Sequence, residues 1–429
     1  MMNGSNLRDG LLILGLGVII VGVFLWLGAP GAIQILVVAG CYALFALGLN
    51  VQWGYGGQFN FGILGFVMLG GYGVVLTSYP LNDAFWASEG PRMLVGAALA
   101  AAIGALLIVL ANRADRIGIT GRFRTFLIVV AWAVAYFGFR SQIDPAATEI
   151  EAAAGFIGGF GLPVFLGWIV GGILAGAVAY LIGKACLGLR TDYLAIATIG
   201  IAEIIRALLK NADWLTRGTL TVSPIPWPVP TALETGIANS YDALTLSRAM
   251  FLSIVVICVF VVFLLLQRVY NGPWGRMMRA IRDNHVAAEA MGKDVKGRQL
   301  ELFIFGSVLM GFGGAIMVTY YQLFDPAGYL PVNHTFVVWV MVIVGGAGSN
   351  VGAMFGAVLI IIAWNLSEPL SRLAFVKIDE WMQALGLGSI PEIDSRAAQM
   401  RVFVLGLVIT IALRYAPRGL IPERIRHHE

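Results

Sequence analysis

Charge is what this sequence has least of. Only 12% of its 429 residues are Asp, Glu, Lys or Arg, about half the share of an average soluble domain. A water-soluble fold of this size could not cover its surface with so few charges, so lipid must solvate much of it. No phosphate-cradling GxxxxGK[ST] occurs anywhere, which excludes ATP binding of the P-loop kind. His285, His334, His427 and His428 share no metal-ligand spacing with a second strong ligand. Cys41, Cys186 and Cys258 lie far apart in apolar stretches and imply neither a disulfide framework nor a metal site. No serine–histidine–acid set stands out either, so an enzymatic reading has little to rest on. The net charge of +4 could hint at nucleic acid, but its distribution argues for membrane orientation instead.

What the chain has in plenty is apolar sequence, 59% of it, and 54 glycines. Glycine lets membrane helices approach closely where lipid gives them no hydrophobic push to associate. The apolar runs predict about twelve spans. They fall near 11–28, 31–50, 62–79, 93–112, 125–140, 156–183, 191–209, 248–267, 301–321, 335–346, 352–366 and 401–415. The stretches 51–61 and 346–352 read as breaks within paired segments. The first apolar run has no small-residue cleavage site after it and is expected to be a retained helix. The expected fold is an all-α polytopic bundle with broken or re-entrant segments, a single transmembrane domain over 1–429.

Loop charge sets the orientation. Arg113, Arg116, Arg122 and Arg124 crowd one loop, Arg268 to Arg298 a second, and Arg414, Arg418, Arg424 and Arg426 the tail. Acidic residues mark the other side: Asp144, Glu149 and Glu151 in one loop, Glu368, Asp379, Glu380, Glu392 and Asp394 in another. With twelve spans both termini are expected in the cytoplasm.

Four segments carry information. In Leu49–Gly73, Gly54, Gly56, Gly57 and Gly62 interrupt an apolar run together with Gln52, Gln58 and Asn60. Non-helical backbone at membrane depth is tolerated only against protein or a water-filled cavity. The segment is either a broken helix lining a translocation path or a tight cytoplasmic turn whose amides are satisfied locally. A second glycine-rich break, Val344–Ala357, centres on Ser349 and Asn350, and its likeness to Gly56–Gly65 hints at an internal repeat.

The third segment is the basic loop Asn271–Gln299. Trp274, Met277, Ile281, Ala288 and Met291 supply an apolar stripe beside Arg276, Arg279 and Arg282. Asp283 or Asn284 can cap a short helix, and Gly292 stands where a helix-ending residue is wanted. Such a helix must bury its apolar face in headgroups or in a groove of a soluble partner. The fourth is Glu203 and Arg206, three apart on one helix face. Either they pair or snorkel near the external end of the span, or they orient a zwitterionic substrate or hold a gate.

Together the runs GPWGRMMRAIRDNHVAAEAMGKDV, LRTDYLAIATIGIAEIIR (Leu189–Arg206), LGLNVQWGYGGQFNFG (Leu47–Gly62), MVIVGGAGSNVGAMFGAVL (Met341–Leu359) and APRGLI (Ala416–Ile421) resemble the LivM-type permeases of branched-chain amino acid ABC importers. The resemblance implies a subunit of the bacterial inner membrane forming half of a path for a small polar solute. Its partners would be a LivH-type sister permease, two ATPase subunits that use ATP and Mg²⁺, and a periplasmic solute-binding protein, with no nucleic acid and no cofactor bound by this chain. It further implies that the loop carrying Ala287, Ala288, Glu289, Ala290 and Gly292 seats in a groove of the ATPase. The chain departs from the pattern in an added hairpin over 113–160 and a long external segment over 367–400. The family also includes permeases for urea and short amides. A secondary transporter is the alternative of another class. It would be expected to bury acidic residues or histidines for a coupling ion, and only Glu203 falls well inside a span.

Overall fold

Glycine and proline decide how the first apolar stretch folds. In the computed structural model, which describes residues 4–117, 120–231, 233–237, 239–386 and 388–423, helix α1 (Gly4–Leu49) leaves helical geometry at Gly28, φ 72°, two residues before Pro30. Ile20, Val23 and Phe24 line the same small cavity as Ala32, Ile35 and Leu36. In a straight helix Ile20 and Leu36 would stand about 24 Å apart. The two limbs therefore fold back on each other as a hairpin, as the runs 11–28 and 31–50 predict. Arg424, Arg426, His427 and His428 lie outside the described residues.

The remaining helices follow as α2 (Ile63–Ser78), the short α3 (Asp83–Ala87), α4 (Gly90–Asn112), α5 (Arg122–Ala154), α6 (Val164–Cys186) and α7 (Thr191–Asn211). After the short α8 (Asp213–Thr216) come α9 (Ser240–Asn271), α10 (Pro273–Asp283), α11 (His285–Ala290) and α12 (Val295–Tyr321). The chain closes with α13 (Val337–Gly345), α14 (Asn350–Ala384) and α15 (Ile393–Tyr415). Among the described residues no β-sheet forms, only isolated bridges such as Val222 to Phe324. Among the described residues eight helices are long and apolar enough to cross a membrane, and Ile63–Ser78 and Val332–Gly345 are shorter apolar helices. The protein is thus an all-α polytopic membrane bundle. α7 is not among the eight: it carries Asp192, Glu203, Arg206 and Lys210, and buries only the stripe Leu194, Thr198, Ala202, Ile205 and Leu209.

The core forms where α2, α6 and α12 meet through glycine. A Cβ on Gly70 would stand 1.8 Å from the Gly311 carbonyl oxygen, and one on Gly73 2.4 Å from the Gly171 Cα. Backbones this close gain packing that lipid cannot supply. By contrast, none of the most apolar stretch of α5 is buried, and α4 and α5 pack chiefly on each other, leaving their outer faces for lipid.

Two acidic loops expected from sequence are helical instead. Asp144, Glu149 and Glu151 lie on the last turns of α5, which runs through Pro145, and Asp144 pairs with Arg140 one turn back at 2.7 Å. Glu368, Asp379 and Glu380 lie on α14, where Glu380 pairs with Lys377 at 3.1 Å. Pairs at this spacing support exposed helix, so the charged sequence extends the helices rather than ending them.

Candidate functional site

α1 does not stop at Leu49. It widens into a π-helical turn, Asn50–Tyr55, and then runs extended to the start of α2. Such bulges are uncommon and concentrate at functional positions. The Asn50 side-chain NH₂ donates to Asn350 Oδ1 at 3.1 Å, and its Oδ1 accepts the Gly348 N–H at 2.8 Å. The Tyr55 hydroxyl also donates to Asn350 Oδ1, and Asn350 donates to Gln267 Oε1 at 3.2 Å. Gln52 donates to the Phe303 carbonyl at 2.8 Å and to Ser307 Oγ at 3.0 Å, while its own Oε1 accepts from Asn60 at 2.7 Å. Gln58 reaches the Gln299 carbonyl at 2.7 Å.

The amides of the break are buried, and most of their bonds tie it to α12 and to the start of α14 rather than closing a local turn, with Asn350 reaching on to α9. The two glycine-rich breaks alike in sequence lie against each other. Ser349 caps α14 by accepting the Gly352 N–H at 3.0 Å, and Gly62 leaves room for the Thr198 carbonyl, 2.9 Å from where a Cβ would stand.

The extended stretch also carries an aromatic face that the sequence reading did not single out. Side chains alternate along an extended chain: Gln58 and Asn60 turn inward, while Phe59 and Phe61 turn to the half-exposed side. Phe61 stacks on Trp339 at 4.5 Å, Trp53 lies 4.8 Å from the same ring, and exposed Phe336 continues the row. Trp339 Nε1 donates to the Asn60 carbonyl at 3.0 Å, fixing the face to the break. The period of two in QFNF was the available signal.

Beneath the break lie α10 and α11. Asn284, not Asp283, caps α11, accepting the Ala287 N–H at 3.0 Å, and Gly292 follows the helix at φ 75° with open space around it. Ala288 turns inward, while Ala287, Glu289 and Ala290 face outward. The apolar stripe is shifted from expectation: Met278 and Ile281 are buried, but Met291 is 80% exposed. Arg276 is exposed, and Arg279 lies over the Tyr270 ring at 4.5 Å.

Arg282 joins this loop to the break. Its guanidinium donates to the Gly54 carbonyl and to Glu423 Oε2, the latter at 2.9 Å, and Tyr270 donates to the other Glu423 oxygen. Burial alone would lower the guanidinium's pKa, but the hydrogen bond and charge of Glu423, with Asp283, outweigh it and raise the pKa above the usual arginine value. The segment that brings Glu423 here is strapped to the end of α13, Leu420 N–H to Val344 O at 2.8 Å and Ile421 N–H to Gly345 O at 2.9 Å. Glu203 and Arg206 lie away from this cluster and pair at 3.2 Å, with the Arg206 Nε buried and unpartnered among the described residues.

The family described as "Branched-chain amino acid transport system / permease component" matches this chain over residues 31–160 and again over 117–413. The chain belongs to that family. The LivM permease of the high-affinity branched-chain amino acid transport system of Escherichia coli is 28% identical to the permease over 49% of this chain and 52% of its own length. The Salmonella typhimurium LivM is 28% identical over 48% and 52%. A probable branched-chain amino acid permease protein LivM of Methanocaldococcus jannaschii is 25% identical over 91% of this chain and 93% of its own. The permease thus spans about half the length of the first two of these relatives and nearly all of the third. No solved structure matches it.

Proposed function

We propose that the permease is one half of the membrane path of an ATP-binding-cassette importer for branched-chain amino acids, working by alternating access. Its relatives are named as permease proteins of branched-chain amino acid transport, which supports the reading. In this reading a LivH-type sister permease completes the path, a periplasmic binding protein delivers solute at the end away from α10, and two ATPase subunits use ATP and Mg²⁺ beneath α11. The chain lies in a bacterial inner membrane with both termini cytoplasmic, and contributes no chemistry of its own.

The observation that carries the reading is Arg282. It closes α10, immediately before the exposed α11, and it holds the Gly54 carbonyl of the broken helix. Displacement of α11 by an ATPase would therefore pull directly on the π-helical turn that carries Gly54. Ala287, Glu289 and Ala290 face the ATPase, with Arg276 beside them. Gln52, Gln58, Asn60, Gly62, Ser349 and Asn350 frame the path by holding the break to its neighbours, and the aromatic face of Phe61, Phe336 and Trp339 is its wall. Glu203 and Arg206, on α7, are the remaining candidates for contact with the path.

The test is Arg282→Gln in the reconstituted importer. Solute uptake is expected to fall about tenfold or more, while binding-protein-stimulated ATP hydrolysis persists. Undiminished uptake would refute the relay, and uptake driven by an ion gradient without ATP would refute the importer reading itself.

A further inference from the structure

One nitrogen of Arg282 serves both glycine-rich breaks. Its Nη1 donates to the Gly54 carbonyl in the first break and, at 2.9 Å, to Oε2 of Glu423. That carboxylate oxygen lies against the second break, 2.6 Å from where a Cβ on Gly348 would stand. The two hydrogens of Nη1 keep a fixed angle in the guanidinium plane. Whatever holds one of them therefore points the other.

Glu423 is well placed to hold it. Its side chain is only 13% exposed, and its other carboxylate oxygen accepts the Tyr270 hydroxyl from the last turn of α9. Charge-assisted bonds of this kind are about twice as strong as neutral ones. The carboxylate is also carried on stiff backbone. Leu420 and Ile421 bond to the carbonyls of Val344 and Gly345, and Pro422, whose ring locks φ, is the one residue between Ile421 and Glu423. Strap and break meet backbone to backbone: Gly419 and Gly346 have φ 84° and 126°, and a Cβ on Gly419 would stand 2.3 Å from the Gly346 Cα. Larger residues fit neither the space nor the conformation.

We propose that Glu423 is the positioning residue of the relay, and that the segment Ala416–Glu423 is its second arm. The carboxylate aims Arg282 at Gly54, and the strap carries the same pull to the end of α13. Movement of α10 then shifts both breaks together. The inference rests on the Arg282 relay proposed above and gives the C-terminal segment a part in it.

The experiment measures radiolabelled L-leucine uptake per ATP hydrolysed, in proteoliposomes holding the importer with all its partners. Glu423→Gln is expected to lower this ratio about tenfold, with assembly and ATP hydrolysis retained. Tyr270→Phe removes one hydroxyl only, and should lower the ratio about threefold; it decides the matter where Glu423→Gln does not fold. Glu423→Gln combined with Arg282→Gln should do no more harm than Arg282→Gln alone, because residues acting through one bonded group are not additive. A defect of stability alone would add to it. Glu301→Gln, which breaks the exposed Arg298 pair at 2.7 Å near the start of α12, should leave the ratio unchanged.

A wild-type ratio in Glu423→Gln and Tyr270→Phe would overturn the proposal. So would an additive double variant, or an equal loss in Glu301→Gln. Any of these, with Arg282→Gln alone still uncoupled, leaves the relay standing. Full coupling in Arg282→Gln would refute the relay itself, and the role of Glu423 with it.

Discussion

Asn50 and Asn350, 300 residues apart in sequence, bond amide to amide at 3.1 Å and so lock the two glycine-rich breaks of the permease together. Asn350 Oδ1 also takes the Tyr55 hydroxyl, and its NH₂ goes to Gln267. One buried amide therefore serves three helical segments.

Asn350→Leu keeps the branched outline of the side chain and removes every one of these bonds, leaving Asn50, Tyr55 and Gln267 without a partner there. The expected cost is about 1–3 kcal/mol, read as a lower thermal midpoint of the purified permease in detergent. A midpoint equal to the wild type would mean that the network does not hold the break.

Glycine packing gives a paired prediction. Gly70→Ala places a methyl 1.8 Å from the Gly311 carbonyl oxygen, a backbone atom that cannot step aside, whereas Gly200 on α7 has nothing within 4 Å. Overpacking of this kind costs about 1–3 kcal/mol or more. Gly70→Ala is expected to lower folded yield severalfold and Gly200→Ala to leave it unchanged, both measured by size-exclusion chromatography of the expressed protein. Equal yields would count against the α2–α12 contact.

Stability of α11 should govern ATPase docking. Asn284→Ala removes its cap, at about 1 kcal/mol. Gly292→Ala forces a side chain into the left-handed region at φ 75°, at about 1–2 kcal/mol. Affinity for the ATPase subunits should fall about fivefold or more for each, with the thermal midpoint of the permease unchanged because α11 lies on the surface. Unaltered affinity for both would place docking elsewhere.

The fold class was legible because apolar run length and charge spacing are local properties. Hydrocarbon thickness fixes the first and membrane topology the second. The separate runs 11–28 and 31–50 were legible, as was the stop of α11 at Gly292, whereas the choice of Asn284 over Asp283 as its cap came only from the fold. The acidic segments were misread because paired charges such as Arg140 and Asp144 support helix, although their composition looks like loop. The apolar stripe of α10 and α11 was misplaced at Met291, because burial there depends on how two short helices turn about Asn284.

The amino-acid order alone determined that lipid is the solvent, where backbone regularity fails, and which exposed helix waits beneath the bundle. Each of these follows from residues near one another in the chain. Only tertiary packing decided that the two breaks touch and that Arg282 bridges α10 to Gly54 and Glu423. Those partners lie tens to hundreds of residues apart, and nothing short of the folded bundle brings a donor within 3 Å of its acceptor.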